Sequence, residues 1–137
     1  MRFEGIYTPI VTPFHDDHSI DQDRFVEIVE FLIKAGVDGI VLAGTTGEYY
    51  AQSMEERVEL MALAKSVIKG RVPLIVGTGA IRTEESIAFA EAAKAAGADA
   101  IMISSPPYAA PTGRENALHA LAVDRAVNMP ILLYNYP

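Results

Sequence analysis

Three short clusters of glycine, hydroxyl and proline residues each follow an apolar run in the sequence. They read Gly-Thr-Thr-Gly-Glu at 44–48, Ser-Ser-Pro-Pro-Tyr at 104–108 and Tyr-Asn-Tyr-Pro at 134–137. In the first cluster, two glycines bracket two threonine hydroxyls and a turn of backbone N–H groups, an arrangement that can hold a carboxylate by neutral hydrogen bonds. The same residues also fit an ordinary glycine turn whose threonines bond their own backbone.

Tyrosines are the other candidates for chemistry. Tyr134 ends the apolar run that begins at Ile131, so its ring is expected either at the mouth of a site or in the core. Tyr108 follows two prolines in a stiff loop, and it fits either a site residue or a surface aromatic. Taken one at a time, these patterns leave both interpretations open.

The elements that must position these clusters alternate between short apolar runs and longer segments of helical period. This alternation is typical of βα units around a parallel sheet. Continuous apolar runs indicate strands that are covered on both faces. The sequence predicts five strands, at 5–12, 39–42, 73–77, 100–104 and 131–135, separated by four helices.

The helix starts are marked by capping residues. Ser53 and Thr112 each stand three residues before a glutamate, the pattern of a capping box, and Thr83 is expected to cap the third helix. The first helix buries a stripe of residues at helical spacing. The predicted inward positions are Phe25, Ile28, Val29, Leu32 and Ile33 in the first helix, Val58 and Met61 in the second, Ile87 and Ala90 in the third, and Leu118 and Leu121 in the fourth.

A six-residue motif recurs along the chain, at 35–40 and again at 96–101. In each copy a glycine follows a helix, an aspartate occupies the turn and an apolar strand comes next. The spacing of 61 residues corresponds to two βα units. This repetition fits both a closed parallel barrel and an open doubly wound sheet, which use the same unit.

Composition narrows the classes of protein. The chain has 137 residues, half of them hydrophobic, and we treat residues 1–137 as part of one domain, with no separate domains. Its 11 basic and 18 acidic residues give a net charge of −7, with no basic run to follow a phosphate backbone, so nucleic acid is not an expected partner. The absence of cysteine fits a reducing cytoplasm. No apolar segment reaches membrane-spanning length, so we expect a cytoplasmic protein that does not bind membranes.

Taken together, the clusters resemble, in order and spacing, the dihydrodipicolinate synthase/N-acetylneuraminate lyase family. The segments at 5–14 and 77–80 match too, so that the resemblance covers essentially the whole chain. It implies a (β/α)8 TIM barrel, of which this chain supplies about the first five strands and four helices. It also implies a homo-oligomer, in which the tyrosine matching Tyr108 enters a neighbouring subunit.

The resemblance further implies a class I aldolase or lyase that forms a Schiff base between a lysine and pyruvate or another 2-oxo acid. Thr45, Tyr108 and Tyr134 match the family's proton-relay residues, and Thr46 with the turn backbone through Gly47 matches its carboxylate site. Neither a metal nor an organic cofactor is implied. Replacement of polar positions by Ala109 and Ala110 favours a sugar-acid dehydratase or aldolase over the synthases.

The lysine of that chemistry lies on the family's sixth strand, beyond Pro137. The four lysines present, Lys34, Lys65, Lys69 and Lys94, all fall in predicted helices, so we expect this chain alone to be inactive. Five strands cannot close a barrel, and the chain is expected to associate through its open edges. Two alternatives remain: an inactive half-barrel that serves as an assembly or binding module, and another α/β enzyme that holds phosphate at 77–79.

Two weaker signals involve histidine. The run from His15 to His18 is contiguous, whereas metal ligands are usually spaced on a rigid element, so we expect a solvated loop that leads to a helix cap at Asp21. His119 falls within a predicted helix and is expected to be a surface or packed side chain.

Overall fold

The computed structural model describes residues 3–136, so Pro137 of the last cluster lies outside it. Strands and helices alternate along the chain. The strands are β1 Tyr7–Pro9, β2 Gly39–Leu42, β3 Leu74–Gly77, β4 Ala100–Ser104 and β5 Ile131–Tyr134, and the helices are α1 Gln22–Lys34, α2 Met54–Ile68, α3 Thr83–Ala95 and α4 Gly113–Val127. The five strands form one parallel sheet in the order β1-β2-β3-β4-β5.

This order confirms the predicted architecture, a curled half-barrel of successive βα units. Strand β1 is shorter than expected: it ends at Pro9, and prolines at 9 and 13 cannot donate to a strand ladder. Strands β2 and β3 are buried throughout, as their continuous apolar sequences indicated. The outer strands β1 and β5 are only partly covered.

Two apolar layers lie on opposite faces of the sheet. The larger layer fills the space between sheet and helices and includes Phe25, Met61, Leu74 and Ile101. The smaller one lies on the concave face, where Val41, Ile75 and Ala100 pack with flanking side chains. Coverage on both faces explains why the strands carry few polar residues.

The predicted inward positions are confirmed in α1 and α3, partly wrong in α2 and wrong in α4. Phe25 and Val29 are fully buried, Ala90 likewise, and Ile87 packs against the core. Met61 is buried, but Val58 is 37% exposed, and Leu118 and Leu121 are also exposed. The buried stripe of α4 consists of His119, Val123 and Val127 instead.

Capping was predicted correctly for two helices. Ser53 and Thr112 form complete capping boxes with Glu56 and Glu115. For α3 the prediction is wrong: the N-cap is Arg82, without a side-chain cap, and the Thr83 hydroxyl instead lies 3.0 Å from Nδ1 of His119. A hydrogen bond between helices α3 and α4 thus replaces the expected cap.

The repeated motif is confirmed, and its aspartates tie strand pairs together at their N-terminal ends. Asp38 accepts from the Ile6 N–H at 2.7 Å, and its own N–H donates to the Ile6 carbonyl. Asp99 does the same to Leu74, accepting at 2.9 Å, and also receives Lys65 Nζ at 3.2 Å. Each aspartate therefore closes one βαβ unit at the end opposite the three clusters.

Among residues 3–136, no helix has both the length and the apolar character that a membrane crossing requires.

Candidate active site

A cavity of about 580 Å³ lies at the C-terminal ends of the strands, on the concave side of the sheet. The loops that follow β2, β3 and β4 reach it, as does the end of β5. Thr45, Thr46 and Ser104 contribute aliphatic hydroxyls, and five tyrosines contribute phenols. None of its described lining residues is charged, so it would hold a ligand through hydroxyl groups, backbone dipoles and apolar contact.

The turn after β2 presents two backbone donors at this cavity. Gly47 N–H donates to the Gly44 carbonyl and Glu48 N–H to that of Thr45, both at 3.0 Å, which forms a single 3-10 turn. Within residues 3–136, the N–H groups of Thr45 and Thr46 have no acceptor. Both threonines are exposed. Their N–H groups and hydroxyls are therefore available to a carboxylate.

Gly47 lies beneath this turn rather than at the cavity wall. Its carbonyl accepts hydrogen bonds from the Thr12 hydroxyl at 2.8 Å and from Gln52 Nε2 at 2.7 Å. A Cβ on Gly47 would lie 2.9 Å from the Ile10 carbonyl oxygen, too close for any side chain. Substrate binding by Gly47 stays a prediction, and its placement favours a supporting role under Thr46.

The three residues predicted to relay protons border the same cavity. Thr45 is on the turn after β2, Tyr134 ends β5 and is half-exposed, and Tyr108 stands fully exposed in the loop after β4. Tyr108 has a φ of 68°, a left-handed conformation that is uncommon for a side chain of this size. Their hydroxyls make no hydrogen bond to the described part of the protein, so the relay itself stays a prediction.

None of the four lysines lines this cavity in the described part of the chain. Lys34 is in the last turn of α1, and Lys69 is the C-cap of α2. Lys65 is held by Asp99, and Lys94 Nζ donates to the Val127 carbonyl at 2.7 Å. All four lie on the helices or at a helix end, and none is at the C-terminal end of a strand.

A buried arginine supports the cavity wall, and sequence reasoning missed it. Arg57 is 3% exposed and donates to the Gly77 carbonyl at 2.8 Å. Its guanidinium carbon lies 3.3 Å from the ring centroid of Phe89 and 5.3 Å from that of Tyr49. Burial lowers the pKa of Arg57 to about 10, so the side chain remains charged at neutral pH. One feature of the sequence could have indicated its burial: Arg57 lies four residues before the buried Met61, on the same face of α2.

Ser104 and Tyr49 are further cavity residues to which the sequence analysis assigned no role, although Ser104 begins the cluster at 104–108. Ser104 shares the strand parity of Met102, which also faces the cavity. Tyr49 follows directly after Glu48, which has a left-handed φ of 54°. Strand parity could have identified Ser104, whereas nothing local in the sequence indicates where Tyr49 points.

The two remaining polar clusters from the sequence lie at 15–18 and at 77–79. The loop around His15 and Asp17 is exposed, and it leads to Asp21, which caps α1 by accepting from Arg24 N–H at 2.8 Å. Across residues 3–136, no group of three or more histidine, aspartate or glutamate side chains could hold a metal ion. At 77–79, Thr78 is fully buried and its N–H donates to the Met102 carbonyl, so this turn does not present it to a phosphate.

Five parallel strands, curled around a hydroxyl-lined cavity at their C-terminal ends, define part of a (β/α)8-barrel protein. The sequence profile of the Dihydrodipicolinate synthetase family matches residues 2–137, and the chain belongs to that family.

Individual relatives agree with this assignment. The 4-hydroxy-tetrahydrodipicolinate synthase of Maridesulfovibrio salexigens is 42% identical over 137 residues, which cover 100% of this chain and 47% of that protein. This chain therefore spans about half the length of the curated relatives it matches.

Two solved structures show how closely the fold agrees. One is a prophage protein of E. coli K12 from the dihydrodipicolinic acid synthase family, solved in complex with pyruvate; it has a TM-score of 0.94 at 34% identity, covering 98% of this chain and 45% of that one. The other, N-acetylneuraminate lyase from Mycoplasma synoviae, has a TM-score of 0.92 at 34% identity and covers 98% and 47% of the two chains.

Proposed function

We propose that the complete polypeptide carrying this chain is a lyase that forms a Schiff base with pyruvate or another 2-oxo acid. The observation that carries the proposal is the cavity itself, where two unpaired N–H groups and the hydroxyls of the predicted relay residues border one space. Family membership and the pyruvate complex of a structural relative support it.

The substrate carboxylate would accept hydrogen bonds from the N–H groups of Thr45 and Thr46 and from the Thr46 hydroxyl. Gly47 would keep the turn in place through its bonds to Thr12 and Gln52. The donors that would hold the carboxylate are neutral, so no cation at this turn would compete for the 2-oxo group. That group would point into the cavity.

Tyr134 and Thr45 would move protons during carbinolamine dehydration and carbon–carbon or carbon–oxygen bond cleavage. A phenol, with a pKa near 10, is a weak base by itself, but it can pass a proton along a hydrogen bond to threonine. Tyr108 would complete the relay. The lysine that forms the imine would come from outside these 137 residues, since the four lysines present lie on the helices.

Oligomerisation and location complete the proposal. Tyr108 is fully exposed on its loop, as expected of a residue that reaches a neighbouring subunit in a homo-oligomer. A metal-free and cofactor-free reaction in the cytoplasm would suit the chain's composition. Among the reactions open to such a site, cleavage or dehydration of a 2-keto-3-deoxy sugar acid is favoured by the alanines at 109 and 110.

Borohydride reduction in the presence of pyruvate tests the proposal, with intact mass as the readout. We expect a reduced pyruvate adduct on the complete polypeptide and none on the 137-residue chain. In the complete polypeptide, Tyr134→Phe should still form the pyruvate adduct but should catalyse the lyase reaction more slowly. Tyr50→Phe, outside the cavity, should leave the rate of that reaction unchanged.

No adduct on the complete polypeptide would refute the Schiff-base mechanism. In that case, pyruvate binding to the 137-residue chain, without an adduct or turnover, would support the alternative, an inactive half-barrel that serves as a binding module.

A further inference from the structure

Two hydroxyls converge on Gly79, in the loop after β3. A Cβ built on Gly79 would lie 3.0 Å from Ser104 Oγ and 3.9 Å from the Tyr49 hydroxyl oxygen. Gly79 itself carries no side chain, and all three residues line the cavity. Ser104 Oγ thus packs closely against Gly79, and the cavity that all three residues line is the space that a ligand can enter.

Ser104 faces the cavity because of its place in strand β4. Side chains alternate along a strand, and Ile101 and Ile103 pack into the layer between sheet and helices. Met102 and Ser104 consequently point to the concave side, where both line the cavity. In the described residues the Ser104 hydroxyl has no hydrogen-bond partner, so it is free to donate or accept.

The Tyr49 ring packs against a buried arginine side chain on the side away from the cavity. The contact is with the Arg57 guanidinium, which is fixed in turn by the Gly77 carbonyl and the Phe89 ring. The Tyr49 hydroxyl likewise has no partner among residues 3–136. A phenol on a fixed ring can bond a ligand with little loss of conformational entropy.

We propose that Ser104 and Tyr49 determine specificity for the second reactant, by binding hydroxyl groups on the carbon chain beyond the reacting carbon. This inference rests on the proposed function. The wall they form is neutral, with no carboxylate from the described lining residues to attract an ammonium group. It therefore suits a hydroxylated aldehyde, or the corresponding part of a sugar acid, whose hydroxyl groups can donate to and accept from Ser104 and Tyr49.

The test compares two aldehydes of equal carbon number as partners for pyruvate on the complete polypeptide: glyceraldehyde, with two hydroxyls, and propanal, with none. Ser104→Ala and Tyr49→Phe should each lower kcat/KM for glyceraldehyde roughly tenfold, the effect of one hydrogen bond, and change that for propanal less than about twofold. Ser104→Thr keeps a hydroxyl and should restore most of the preference. The matched controls Ser105→Ala and Tyr50→Phe, outside the cavity lining, should change neither value.

A second pair of variants tests access to the same space. Gly79→Ala places a methyl between the two hydroxyls and should also reduce the preference for glyceraldehyde, whereas Gly113→Ala enters open space and should not.

An equal loss for both aldehydes, or no loss for either, would overturn the assignment, provided that every variant still forms the pyruvate adduct. Absence of that adduct from the unmodified protein would overturn the proposed function, and the specificity inference with it.

Discussion

The two copies of the αβ-turn aspartate allow one interaction to be compared in two settings. In Asp99→Ala, the Leu74 N–H would lose a charged acceptor at a position that is completely buried. Such a loss costs about 1.5–3 kcal/mol, and the partly buried ion pair with Lys65 adds less than about 1 kcal/mol. We therefore expect the free energy of unfolding to fall by about 1.5–4 kcal/mol.

The matched variant is Asp38→Ala, which removes the same bond from an edge strand. Ile6 is 73% exposed, so water can replace the lost acceptor, and we expect a cost of only about 0.5–1 kcal/mol. Asp99→Asn keeps an acceptor oxygen for the Leu74 N–H, so its loss in free energy of unfolding should lie between those of Asp99→Ala and Asp38→Ala. Urea unfolding of the 137-residue chain, followed by far-UV circular dichroism, measures all three.

Equal losses for Asp38→Ala and Asp99→Ala would refute this reasoning. Such a result would mean that the aspartate contributes through the geometry of the turn and not through the buried N–H that it satisfies.

Three further predictions concern the helices and the strand ends. Ser53→Ala removes the capping box of α2 and should lower the free energy of unfolding by about 1 kcal/mol in the same urea assay. Gly77→Ala should prevent stable folding, detected as lost far-UV dichroism, because its methyl would overlap the Ala43 carbonyl; Gly113→Ala should fold normally. Burial lowers the pKa of His119 below 6.5, so the unfolded chain binds that proton more tightly and stability is lost as pH falls below 6.5. His119→Asn should flatten urea midpoints between about pH 7 and pH 5, and an unchanged slope would contradict this assignment.

Much of the fold follows from strand patterns, since a strand buried on both faces has few alternatives to a continuous apolar sequence. Strands β2 and β4 match their predicted bounds, and β3 and β5 differ by one residue. The repeated motif predicted both turns because glycine and aspartate have distinct local roles there. Each aspartate also bonds a backbone N–H at the N-terminal end of the neighbouring strand. That bond joins residues far apart in sequence, so no local pattern reveals it.

The errors in α2 and α4 share one physical cause. In each helix the buried stripe begins with a polar residue, Arg57 in α2 and His119 in α4. A distant group bonds one nitrogen of each side chain: the Gly77 carbonyl accepts from Arg57 Nη2, and the Thr83 hydroxyl bonds His119 Nδ1. The second buried nitrogen of each, Arg57 Nε or His119 Nε2, has no partner in the described chain. Hydrophobic periodicity excludes such residues, so the predicted stripe shifted towards Val58 and Leu118, which are exposed.

The candidate site was only partly predictable. Its residues come from loops that follow successive strands, and parallel strand order alone brings Thr45 and Tyr134 to one end of the sheet. The sequence does not indicate that Gly47 lies under the turn, because its bonds to Thr12 and Gln52 depend on how the first two loops pack.

The loops around the mouth of the cavity differ in how many hydrogen bonds fix them to the rest of the described chain. The loops after β1 and β2 are joined where Thr12 and Gln52 bond Gly47, and the Ala43 carbonyl occupies the space that a side chain on Gly77 would need. The first two loops are therefore tied together by hydrogen bonds beneath the turn that carries Thr45 and Thr46, and the end of β3 packs closely against the end of β2. The loop at 106–110 makes no hydrogen bond to the rest of the described chain, and it carries Tyr108 in a left-handed conformation. In the proposed relay, Tyr108 is therefore the residue whose loop no hydrogen bond fixes to the rest of the described chain.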